Sequence, residues 1–161
     1  MPQFLRHVRK SKWYRHAGVP WLLPNELQAD ALGDVSTQDN TLSVWYVDDA
    51  ATNLDQVLTA IASTRSVPSN LDYVLLDESI ITQLGIEVVD DPAATPFPSA
   101  NNWHRNLVHL TRRKLLDLVA FIAQSPRPRR QSDDLKELLR QARDAGLLDQ
   151  ARVQPTLLAH L

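Results

Sequence analysis

Apolar positions along the chain change period several times, and each change predicts an element. Over 41–48, TLSVWYVD, Leu42, Val44 and Tyr46 alternate with Trp45 and Val47, the two-residue period of a β-strand. Apolar residues on both faces predict a strand covered on both sides. From Leu54 the spacing lengthens. Leu54, Val57, Leu58 and Ile61 form one stripe of a helix that Asn53 opens. LDYVLL (71–76) reads as a second buried strand. Asp77 then caps a short helix, ESIITQL, which Gly85 ends, and IEVV (86–89) reads as a third strand. The order β-α-β-α-β predicts the α/β class: a small mixed sheet of three or more strands covered by helices, with at least one parallel pair.

The second half reads as helical. After the proline-rich loop DDPAATPFPSANN, Asn102 caps a long helix over 103–124. Trp103, Leu107, Leu110, Leu115, Leu118, Val119 and Ile122 gather on one side of it. SPRPRR (125–130) breaks that helix. Ser132 caps a final one, with Leu135, Leu138 and Leu139 inward and Gly146 at its end, and 149–161 is a weak tail. Near the start, Asn25 is read as the cap of a short helix through Leu32 that Gly33 stops. This gives an α/β domain over 1–124 and a C-terminal helical appendage over 132–161, packed on the same domain. Val44, Leu58, Leu75, Leu107 and Leu118 are expected in one buried cluster, each lying on the apolar face of its element.

Charge changes the picture more than composition does. The net charge of −2 hides a partition. Residues 1–24 carry Arg6, Arg9, Lys10, Lys12 and Arg15 and no acid. Residues 25–97 carry 13 acids against one base, Arg65, and residues 98–161 carry 11 bases against 6 acids. A basic opening that complements the acidic middle, in its own chain or in a twin subunit, accounts for this pattern better than an arm that grips nucleic acid.

Several chemistries are excluded by residue type. There is no cysteine, which removes disulfides, thiolate zinc sites and a cysteine nucleophile. The four glycines, Gly18, Gly33, Gly85 and Gly146, are too scattered for a phosphate-cradling loop. No apolar leader opens the chain and no stretch is long enough to span a bilayer, so a cytoplasmic protein is expected.

Asp48 and Asp49 end one predicted strand and Asp77 ends the next, where open α/β sheets place ligands. Three carboxylates there are weak candidates for a Mg²⁺ site. The arrangement resembles the acidic pair and phosphoacceptor aspartate of two-component receivers. It departs from that pattern in two ways: only 28 positions separate Asp49 from Asp77, and no lysine lies between Lys12 and Lys114. Helix caps and surface acids are the preferred roles, and no cofactor is implied. His104, on the apolar side of its predicted helix, is a weak candidate for a catalytic base and more simply a core histidine. Arg105, His109, Arg112 and Arg113 fall on the opposite side as a basic stripe.

The function expected is a non-catalytic interaction protein of the bacterial cytoplasm, of the immunity, antitoxin or adaptor type. Its acidic central surface would meet a basic protein partner. The alternatives are a nucleic-acid-associated protein using Arg6, Arg9, Lys10, Lys12, Arg15, Arg105, Arg112 and Arg113, and a small metal-dependent enzyme using Asp48, Asp49 and Asp77.

Overall fold

The computed structural model describes residues 1–161 apart from His16, Pro24 and Asn25, with the backbone alone at Lys10. Six strands, β1 (Gln3–Val8), β2 (Leu42–Val47), β3 (Leu71–Asp77), β4 (Glu87–Asp90), β5 (His104–Val108) and β6 (Arg129–Arg130), form one sheet in the order β4-β5-β2-β1-β3-β6. Five helices surround it: α1 (Leu54–Ser63), α2 (Glu78–Gln83), α3 (Arg112–Gln124), α4 (Ser132–Asp144) and α5 (Pro155–Leu158). The α/β class and the helix-covered sheet are those expected.

The parallel pair is not there. Every neighbouring pair of these strands is antiparallel. The reason is insertion. Strands β2, β3 and β4 do run in one direction, but β1 lies between β2 and β3, and β5 lies between β2 and β4. Both inserted strands escape the periodicity reading. In QFLRHV, Phe4 and Val8 face one side and Leu5 the other, while Arg6 and His7 interrupt the alternation. Strand β1 is nonetheless central: Phe4 sits opposite Tyr46 on β2 and Leu76 on β3. The basic opening is therefore no free arm; its first part is the middle of the sheet.

Strand β5 replaces the first half of the long helix expected over 103–124. Asn102 lies in a 3-10 helix (Pro98–Trp103), and helix α3 starts only at Arg112, where the hydroxyl of the preceding Thr111 accepts the N–H of Lys114 at 3.3 Å. The spacing of Trp103, Leu107 and Leu110 suits a helix face. Strand pairing on both sides, with β2 and β4, overrides it. His109, at φ +53, turns the chain out of the strand.

The sheet divides the core in two, so the five marker residues do not share one cluster. Val44, Leu107 and Leu118 are buried on the face covered by α2, α3 and the 3-10 helix Ala29–Val35. Leu58 is buried on the other face, under α1, α4 and α5, and Leu75 is partly buried against it. Two opposed apolar faces are what the double-sided pattern of 41–48 requires. Leu135, Leu139 and Leu157 join the cluster that holds Leu5 and Leu71, so the C-terminal helices close the sheet's second face. Gly85 (φ +62) and Gly146 (φ +69) turn the chain after α2 and α4, a left-handed backbone that favours glycine. Gly33 does not stop a helix; it sits inside Ala29–Val35, where an added Cβ would lie 3.2 Å from the Arg9 guanidinium. The cap expected at Asn25 lies outside the described residues.

Candidate functional site

Because β2, β3 and β4 run the same way, their carboxyl ends share one end of the sheet. Each ends in acids: Asp48 and Asp49 after β2, Asp77 and Glu78 at the end of β3, Asp90 and Asp91 at the end of β4. The sequence thus placed Asp48, Asp49 and Asp77 at the correct edge. The inserted strands keep them apart, since two strands' separation is about 10 Å. Among the described residues no three acids or histidines lie together as a metal site.

Asp48, Asp49 and Asp77 each have a local contact. The Asp48 carboxylate accepts the Thr52 hydroxyl, the Thr52 N–H at 2.8 Å and the Ala50 N–H at 3.1 Å. Those bonds, the hydroxyl's first, hold its pKa below the ordinary aspartate value. Asn53 shapes the same turn: its side-chain oxygen accepts the Asp48 N–H at 3.0 Å and its amide donates to the Tyr46 carbonyl at 3.1 Å. Asp77 accepts a bond from Gln3 Nε2 at 2.7 Å rather than capping α2. Asp49 is exposed and lies 3.1 Å from the Met1 ammonium. Glu78 is exposed on the first turn of α2.

The basic candidates are drawn inward instead. Asp34 is the centre of this. Its carboxylate accepts the backbone N–H of Arg9 at 2.6 Å, Arg9 Nε at 2.7 Å and the buried Trp13 indole at 2.8 Å. Arg6 donates to the Asp34 carbonyl at 2.6 and 2.9 Å and to the Ser43 carbonyl at 2.7 Å. Burial alone would raise the pKa of Asp34; the three donors outweigh it and hold the group below the usual aspartate value. Lys12 reaches Asp30 at 3.8 Å, and Arg15 donates to the Pro20 carbonyl at 3.2 Å. The side chain of Lys10 lies outside the described residues.

The second basic group does not form a stripe. Arg105 is on β5, pairs with Asp90 at 2.8 Å and lies over the Tyr46 ring at 5.8 Å. Arg112 and Arg113 are exposed on α3, and Arg113 faces Asp117 at 3.9 Å. His104 opens β5 rather than lining a helix. Its ring packs edge-on against Trp45 at 5.1 Å, and its Nδ1 lies 3.6 Å from the Asp91 carboxylate.

Nine ion pairs join side chains among the described residues, and seven tie a base of residues 1–24 or 98–161 to an acid of 25–97. Two of the seven use a histidine, which is charged only when protonated. Six of the 13 central acids stay outside these pairs, and four of those six are Asp48, Asp49, Asp77 and Glu78 at the sheet end. Sequence reasoning missed Asp34, Asp90 and Asp91 as partners of the basic ends. The block charges pointed to such pairing, but no local spacing identifies which acid meets which base. No family model, curated protein or solved structure matches the chain.

Proposed function

We propose that the chain is a non-catalytic interaction protein whose acidic sheet end receives a basic protein partner. The observation that carries this is the split fate of the central acids. Seven are tied to the chain's own bases, while among the described residues Asp48, Asp49, Asp77 and Glu78 share one end of the sheet with no side-chain counter-cation, Asp49 facing the Met1 ammonium. Carboxylates set about 10 Å apart by alternate strands suit a row of arginines or lysines better than a single metal ion. Such a face steers a cationic partner and fixes its register. Proteins that block nucleases or toxins use faces of this kind, and a cytoplasmic immunity, antitoxin or adaptor role fits it.

An arginine-rich peptide, titrated calorimetrically, tests the proposal. Binding that weakens with salt, and weakens about tenfold or more in the Asp49→Asn, Asp77→Asn, Glu78→Gln variant, supports it. Equal binding by the variant and the wild type, or no binding at low salt, overturns it.

A further inference from the structure

A groove of about 670 Å³ runs between α3 and the segment that follows β1, on the side of the molecule defined by Trp13. Its size is that of a small-molecule site. Arg127 stands in its wall and is only 6% exposed. The guanidinium donates one N–H to the Ile122 carbonyl in the last turn of α3 and stacks on the Tyr14 ring at 4.1 Å. Its Nε is buried with no hydrogen-bond partner, and Arg127 is in none of the ion pairs among the described residues. A cation held out of water without an ion-pair partner in contact is costly, and stacking on one ring offsets only part of that cost.

We infer that the groove binds a small aliphatic carboxylate, its head on Arg127 and its chain along α3. The charge argument selects an anion. The remaining lining selects its body. Leu27, Leu116, Val119, Ala120 and Ala123 give the groove an aliphatic wall, with Gln124 and Arg15, the latter donating to the Pro20 carbonyl, as further polar lining. The aromatic side chains are already engaged: the Tyr14 face holds the guanidinium, and Trp13 is buried with its indole on Asp34. The Tyr14 face that holds the guanidinium is closed to a nucleobase. Glu26 also lines the groove, its carboxylate accepting the Leu23 N–H at 3.0 Å. Its charge disfavours a dianionic phosphate more than a single carboxylate. Arginine's planar fork suits a carboxylate. This site is remote in kind from the acidic sheet end and stands whether or not a basic partner binds there.

Octanoate and 1-octanol share a chain and differ in the head, so calorimetric titration of both isolates the contribution of Arg127. The wild type is expected to bind octanoate at least about tenfold more tightly than octanol. Arg127→Gln should bring the two affinities together. Arg127 also holds the end of α3, so that variant could unfold. Ala120→Trp, at an exposed position of the groove, fills it without touching the core and should abolish binding of both ligands. Equal affinities for octanoate and octanol overturn the inference. So does an absence of octanoate binding at millimolar concentration, or a folded Ala120→Trp variant that binds like the wild type. A peptide with a free carboxyl terminus that binds where octanoate does not overturns it as well.

Discussion

Asp34 shows how one side chain decides what a basic segment does. It gathers the Arg9 amide, the Arg9 guanidinium and the Trp13 indole on one buried carboxylate, with Arg6 on its carbonyl. Removing the charge leaves buried donors short of an acceptor. Asp34→Ala should therefore cost about 3 kcal/mol in urea unfolding near neutral pH. A loss under about 1 kcal/mol would show that the cluster is solvated and weak. The pH dependence has a definite sign. The folded-state pKa of Asp34 is depressed, so its contribution is fully present above the unfolded value and is lost as pH falls through the lower folded one. The wild type should lose stability on acidification below about pH 4, and Asp34→Asn should lose less over the same window. The basic run was legible in the sequence as a charge block seeking acids. Its partner was not, because Asp34 lies on a 3-10 helix that no periodicity announces.

At the level of elements, the strands with clean alternation and the helices with a single stripe were legible: β2, β3, β4, α1, α2 and α4 all fall where the apolar spacing puts them. Strands β1 and β5 were not. Arg6 and His7 break the alternation of β1, and the one buried residue of β5, Leu107, fits a helix stripe equally well. Pairing with two neighbours supplies the stability that local preference withholds from both. The true start of α3 makes a distinct prediction. Thr111→Ala should destabilise the protein by about 1 kcal/mol through loss of its cap, whereas Asn102→Ala should leave the helix content unchanged. Leu118→Ala, in the core beneath α3, should cost about 2–5 kcal/mol. A helix signal that falls with Asn102→Ala but not with Thr111→Ala in circular dichroism would contradict the assignment.

For the molecule as a whole, charge organisation follows the fold. Bases of both ends pair with acids of the middle, β1 lies inside the sheet, and Asp48, Asp49, Asp77 and Glu78 at one sheet end stay outside those side-chain pairs. The candidate acids Asp48, Asp49 and Asp77 were legible in the sequence as strand-end residues. Their separation was not, since it follows from β1 and β5 being inserted between the strands that carry them. The claim is tested most directly by one comparison. Melting temperature and oligonucleotide binding are measured on the wild type and on the Arg6→Gln, Arg9→Gln, Lys12→Gln variant. The variant should melt about 5–10 °C lower, with the deficit partly reduced by salt, and the wild type should show no oligonucleotide affinity that the variant lacks. A variant that melts like the wild type while losing a salt-sensitive affinity for oligonucleotides would contradict the account and make these bases a nucleic-acid surface.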